Sequence, residues 1–145
     1  MTMLSAPAES KPGDASRSRR KTVAIIGASS DRRKFGNKAV RAFAGAGWQV
    51  FPINPGETAV EGFTAYPSLD QAPAGSLDVV TLYVPPPVGE KLLPAVAARG
   101  PDELWVNPGA GSLELLSAAH RLGLRVQSLC SILALGVSPG DFPDR

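Results

Sequence analysis

The chain has 145 residues, 43% hydrophobic and 19% charged, which is enough for one buried core and excludes both a second full domain and disorder throughout. Its formal charge of +2 divides into a basic leader, with five basic against two acidic side chains over residues 1–21, and a near-neutral remainder of ten cations and eleven acids. Net charge therefore makes no case for nucleic acid, and a single cysteine (Cys130) and a single histidine (His120) exclude an internal disulfide and any Cys/His zinc set.

Residues 1–20 are rich in Ser, Ala, Pro and charge without a hydrophobic period, so they read as a flexible tail. The leader lacks the apolar run of a signal peptide, and no stretch of about 18 apolar residues is present to span a bilayer. A cytoplasmic protein with no membrane partner is expected.

From Thr22 the pattern changes to TVAIIG, a β-branched apolar run ended by Gly27 that predicts a strand buried on both faces. A polar loop over 28–35 follows, then a helix near Gly36–Ala46 in which Ala39, Val40, Phe43 and Ala44 recur at helical spacing. The second strand, Trp48–Ile53, stops at Asn54-Pro55-Gly56. After a long loop, Ser68 with Gln71 three positions on predicts a capped short helix.

The third strand, Asp78–Val84, closes at Pro85-Pro86-Pro87, which cannot extend a ladder. A helix over Val88–Ala98, a fourth strand at Leu104–Val106, a helix over Ser112–Leu122 and a fifth strand at Leu124–Leu129 complete the series. The end from Ser131 reads as a short element with loose ends. This alternation predicts an α/β, Rossmann-like three-layer domain over residues 21–145, with a five-stranded parallel sheet in the order 3-2-1-4-5.

In such a sheet ligands bind outside the carboxyl ends of the strands, which here carry Gly27-Ala28-Ser29-Ser30, Asn54-Pro55-Gly56, Val84-Pro85-Pro86 and Asn107-Pro108-Gly109. The first segment is the natural place for phosphate, because a glycine turn before a helix exposes backbone N–H groups at the positive end of the helix dipole. Arg32, Arg33, Lys34, Lys38 and Arg41 fall together in and just beyond this loop. Elsewhere such a cluster would be a solvated helix face; beside a glycine turn it steers anions. A full dinucleotide fingerprint is absent, and the second strand ends on Asn54 where a NAD site wants a carboxylate, which disfavours ordinary NAD binding. His120 reads as a surface or packing histidine, and Cys130 as a small buried hydrophobe.

Taken together, VAIIGASSDRRKFGN, VFPINP, YPSL, LYVPPP, ELWVNPGAG and VQSLCSI, in this order from about Lys21 to Leu135, resemble the CoA-binding domain family. That family is related to the nucleotide-binding domain of the succinyl-CoA synthetase α-subunit and of acyl-CoA ligases. The resemblance implies CoA or an acyl-CoA along the strand tips. Its phosphates would lie near Gly27, Ala28, Ser29, Ser30, Arg33, Lys34 and Gly36, its nucleotide and pantetheine parts near Asn54, Pro55, Val84 and Pro85, with Asn107 and Gly109 as further site residues. Two departures from the small stand-alone members are Val84 in place of a basic residue before the closing proline, and the segment WVNPGAGS.

No base, nucleophile or metal set stands out, so the leading expectation is a non-catalytic module for a small-molecule nucleotide thiol. Its alternatives are an NAD(P)-dependent oxidoreductase fragment and a subunit of an acyl-CoA ligase whose catalytic histidine is on another chain. A protein partner or a homodimer stays open.

Overall fold

A computed structural model describes residues 20–145; the flexible tail expected for residues 1–20 lies, up to residue 19, outside the described residues. The elements run β1 (Thr22–Ile26), α1 (Phe35–Gly45), β2 (Gln49–Ile53), β3 (Ala59–Val60), β4 (Phe63–Thr64), β5 (Val79–Leu82), α2 (Pro86–Arg99), β6 (Glu103–Val106), α3 (Leu113–Arg121), β7 (Val126–Ser128) and α4 (Ser131–Ala134). Strands β2-β1-β5-β6-β7 form one parallel sheet, and β3 and β4 pair as a small antiparallel hairpin.

The apolar runs are continuous because the central strands are covered on both faces. In β1, Val23 and Ile25 enter a core shared with Val40 and Phe43 of α1 and Ile132 of α4. Ala24 and Ile26 face the opposite way, into a core shared with Leu93 and Val96 of α2 and Leu115 of α3. The period of two in a strand thus divides one hydrophobic stretch between two layers of helix.

The three-layer, five-stranded parallel architecture is the expected one, with one reassignment inside its order. The segment expected as the third strand does not lie outside the second: as β5 it pairs with β1 on the other side. The outer position beside β2 is taken by Tyr66, which makes a single parallel bridge to Ile53, with Asn54 N–H donating to the Tyr66 carbonyl at 2.9 Å. With Tyr66 counted as a third place, the six places run 3-2-1-4-5-6 and contain the expected 3-2-1-4-5 winding. Burial explains the exchange, because Val79–Leu82 is buried throughout and needs a central slot, whereas the two-residue strands β3 and β4 bury only Val60 fully and offer too little apolar surface to extend the sheet.

Three boundaries shift for local reasons. Pro86 and Pro87 occupy the first helical positions of α2, where a missing N–H costs nothing, so the proline run starts the helix as well as ending the strand. Ser68 precedes only a 3-10 turn over Leu69–Gln71, and its hydroxyl donates to Asp70 Oδ1 at 2.6 Å without capping a backbone N–H. The C-terminal end is docked, not loose. Buried Lys38 of α1 donates to the Phe142 carbonyl at 2.8 Å and pairs with Asp144 at 2.6 Å, and Arg41 donates to the Pro143 carbonyl.

Candidate functional site

Four strand tips meet along one edge of the sheet, and two glycines determine how closely. Gly27 leaves β1 with φ +93°, a conformation that L side chains rarely adopt, and a Cβ there would lie 2.5 Å from the Tyr83 carbonyl oxygen at the end of β5. A Cβ on Gly36 would lie 2.2 Å from the Gly27 carbonyl oxygen, so α1 starts directly against the turn. The space beside Gly27 therefore belongs to the neighbouring strand's backbone as well as to any ligand.

Around these tips lie two adjoining cavities. The larger, about 600 Å³, is open and mixed in polarity, and runs from Ser29, Arg33, Lys34 and Gly36 across to Asn107 and Gly109. The smaller, about 350 Å³, is almost wholly apolar, lined by Ile53, Pro55, Pro67, Leu69, Val88 and Val96 among others. Gly27, Asn54, Val84 and Pro85 line both.

The helices that start at this edge differ in what they offer an anion. At α1, Lys34 supplies no side-chain cap, the first turn has no acidic residue, and the Phe35 and Gly36 N–H groups meet no acceptor among the described residues. At α2 the opening residues are prolines, which have no N–H to give. At α3 the Ser112 hydroxyl already caps Leu115 N–H at 3.0 Å and Glu114 occupies the first turn. Of these three helix starts, only that of α1 keeps free N–H groups without a cap or an acidic neighbour in its first turn.

The basic cluster beside it is largely matched internally. Arg32 pairs with Glu61 at 3.1 Å, Arg33 with Asp31 at 2.9 Å and Lys38 with Asp144, while Arg41 is held by Asn37 Oδ1 and by backbone carbonyls. Lys34 is the one member of the five whose side chain makes no hydrogen bond or ion pair among the described residues, though its charge acts on nearby Asp31 and Glu57, and it lines the larger cavity.

Three carboxylates hold this loop. Hydrogen bonds from the Arg33 side chain and backbone bring the exposed Asp31 carboxyl down to about 2; the Ser30 N–H and hydroxyl lower that of Glu57; the Asn37 amide, with Arg32 beside it, lowers that of Glu61. A depressed folded-state value means that the stabilisation is complete above the unfolded value and is lost as pH falls through the folded one. For Asp31 that window runs from its ordinary 3.8 down to about 2. In an NMR titration the Ser30 and Arg33 amides should accordingly move with midpoints below the ordinary carboxylate range. Midpoints at ordinary values would contradict these contacts.

Most of the residues expected at the site line one or both cavities, and Ala28 and Ser30 line neither. Ala28 is fully buried in the core under α1, and Ser30 spends both its donors on Glu57 at 2.8 Å. Pro55 lines only the apolar cavity. Asn54 serves the loop itself, with Nδ2 donating to the Ala28 carbonyl at 2.7 Å and Oδ1 accepting from Gly56 N–H at 2.8 Å.

Asn107 is 4% exposed and plays a similar role at the fourth tip. Its Nδ2 donates to Thr81 Oγ1 and the Leu82 carbonyl, and its Oδ1 accepts from Ser131 N–H, tying β5, β6 and α4 together. Phe35 and Tyr83 of the larger cavity carried no signal in the sequence beyond their nearness to the glycine turn and the third strand's end. The Tyr83 hydroxyl is shut from water without a well-formed hydrogen bond, and burial pushes its titration above the ordinary tyrosine value. His120 and Cys130 line neither cavity, and no metal-ligating cluster occurs among the described residues. No helix among them is long and apolar enough to cross a membrane.

Comparison with known proteins bears on this geometry. A family model described as a CoA binding domain matches residues 21–136. The chain is 29% identical over 115 residues to the α subunit of the ADP-forming acetate–CoA ligase II of Pyrococcus furiosus, covering 72% of this chain and 25% of that protein. It thus spans about a quarter of that relative's length. Among solved structures, a conserved hypothetical protein from Pyrococcus furiosus superposes with a TM-score of 0.72 at 30% identity, covering 80% of this chain and 99% of that one. The dinucleotide-forming acetyl-coenzyme A synthetase 1 of Ca. Korarchaeum cryptofilum gives a TM-score of 0.64 at 25% identity, covering 75% and 26% respectively.

Proposed function

The chain belongs to the CoA binding domain family, and from that premise we propose that it binds CoA or an acyl-CoA across its strand tips without transforming it. One observation carries this reading: a cavity of mixed polarity at the free N-terminus of α1 adjoins an apolar one, the two sharing Gly27, Asn54, Val84 and Pro85. A ligand with a diphosphate in its middle and an apolar, flat base at one end suits that sequence of environments. The diphosphate takes the Phe35 and Gly36 N–H groups and the Lys34 ammonium. The base enters the dry cavity between β2 and α2, and the pantetheine arm follows the Val84-Pro85 rim towards Asn107 and Gly109.

Neither cavity is lined by a His, Cys, Asp or Glu side chain, which supports a binding module over an enzyme. A second reading, one subunit of a CoA ligase, is favoured by the match to a ligase α subunit. In that case the module would present its ligand to a catalytic group on a partner.

Calorimetric titration tests the proposal. CoA should bind ahead of NAD, and its affinity should fall as salt rises. Lys34→Ala should weaken CoA binding about tenfold and flatten that salt dependence, because it removes the unpaired cation at the phosphate position. Since Arg33 is already engaged by Asp31, Arg33→Ala should cost much less. His120→Ala should change nothing. NAD binding equal to or tighter than CoA would reverse the assignment, and mass spectrometry of gently purified protein should find the same thiol travelling with it.

A further inference from the structure

We propose that Glu61, at the tip of the β3–β4 hairpin, is a positioning residue for the ligand: it holds the β1–α1 loop in the form that presents the Phe35 and Gly36 N–H groups. This role rests on the CoA-binding reading above. Val60 pairs with Phe63, so Glu61 and Gly62 make a two-residue turn in which both have positive φ, +50° and +83°. Such a turn favours Asn or Gly at its first position, because a longer L side chain crowds its own backbone there. Glu61 is the one residue other than glycine with positive φ among the described residues. What overrides the backbone preference is where the side chain reaches.

That side chain joins a closed circuit of hydrogen bonds. Glu61 Oε2 accepts from Asn37 Nδ2 at 2.9 Å and from Arg32 Nε at 3.1 Å, and Oε1 accepts from Arg32 Nη2 at 3.2 Å. Asn37 Oδ1 accepts from Arg41 Nε at 2.8 Å, and Arg41 Nη2 donates to the Arg32 carbonyl at 3.1 Å, which closes the circuit. Asn37 is fully buried, and its Nδ2 also donates to the Ser29 carbonyl at 2.8 Å. The loop is thus gripped at Ser29 and at Arg32, and the residues that follow, Arg33 to Gly36, line the larger cavity. Glu61 itself lines neither cavity, so it acts through the loop and not on the ligand. It is also the one member of the circuit from outside residues 29–41. Without it the Arg32 guanidinium and one N–H of the Asn37 amide lose their acceptor, and the loop gains freedom that a phosphate must remove on binding.

The experiment compares the unmodified full chain with Glu61→Asn and Glu61→Gln by calorimetric titration with CoA, by urea unfolding, and by hydrogen exchange of the ligand-free protein. Asn suits the turn but is too short to reach Asn37 and Arg32, whereas Gln keeps the reach and one acceptor. Glu61→Asn should unfold at nearly the unmodified midpoint, because relief in the turn offsets the lost contacts, yet bind CoA about tenfold more weakly. Its Asp31 and Lys34 amides, which donate to Ser29 Oγ and to the Asp31 carbonyl within the loop, should exchange about tenfold faster. Glu61→Gln should stay within about threefold of the unmodified affinity, since the charge of an exposed ion pair adds little. Three results would overturn the positioning role and leave the CoA-binding reading standing: CoA binding by Glu61→Asn as tight as by the unmodified protein, unchanged exchange at those amides, or a weakening that only tracks a lowered midpoint. Absence of CoA binding by the unmodified protein would overturn both.

Discussion

Gly27→Val should lower stability by about 3–5 kcal/mol, combining the strain of a β-branched residue at positive φ with a backbone collision. The colliding atoms are the carbonyl carbon and oxygen of Tyr83, 2.8 and 2.5 Å from the new Cβ, and a main-chain group held in a parallel ladder cannot swing aside as a side chain can. Tyr83 N–H is itself bonded to the Ile26 carbonyl at 2.8 Å, so relief would mean parting β1 from β5 at the tip of the sheet. Gly36→Ala should act in the same direction, since its Cβ would fall 2.2 Å from the Gly27 carbonyl oxygen and drive α1 off the turn. Urea unfolding followed by circular dichroism would measure both. Ligand binding should then fall in proportion to the folded fraction. A folded Gly27→Val protein of unchanged midpoint that had lost only its ligand would mean that the room beside Gly27 is ligand space alone.

Asn107→Leu carries the second large effect, a loss of about 3 kcal/mol or more, although leucine keeps the branched heavy-atom skeleton of asparagine. The side chain satisfies three buried groups at once: the Thr81 hydroxyl at 2.7 Å, the Leu82 carbonyl at 2.8 Å and the Ser131 N–H at 2.8 Å. Thr81 and Ser131 can still share the 2.8 Å bond between their hydroxyls, but the Ser131 N–H would be left in a dry interior. The expected readout is a lower denaturation midpoint with an unchanged dependence on denaturant, together with loosening of α4, whose first N–H is anchored by this residue. A loss below about 1 kcal/mol would show that water or a rearranged hydroxyl replaces the amide.

Both predictions change the meaning of residues that the sequence placed at the ligand. Asn107 and Gly27 stand at strand tips, the right address for a site in this kind of sheet, yet much of what their atoms do is hold neighbouring elements together. The same holds for Asn54, whose amide supports the β1–α1 loop, and for four of the five clustered cations, which are matched by carboxylates or carbonyls. A run of Arg and Lys in one loop announces positive charge. Whether that charge is free depends on Asp31 within the loop and on acids brought in from residues 61 and 144, and nothing in the local sequence discloses the two distant pairings.

The reassignment of the third place in the sheet has a similar origin. Periodicity marks Val79–Leu82 as a strand buried on both faces, and a two-sided strand must sit inside a sheet, but which interior slot it takes is decided by competition among strands for burial. Tyr66, half-buried just after a short hairpin, could be recognised as an edge bridge only once β2 was known to lie at that edge.

What the sequence by itself determined is whatever rests on local chemistry: strands from unbroken β-branched runs, a helix start at the glycine turn, and the parallel alternation with its line of strand tips. Tertiary structure alone decided which of the polar groups at those tips are already spent, leaving Lys34 and the first N–H groups of α1 without hydrogen bonds and turning Glu57 towards Ser30. The reason is physical: backbone preference acts over a few neighbouring residues, whereas these pairings of charges and donors join atoms 27 to 106 positions apart, brought within about 3 Å only when the layers pack.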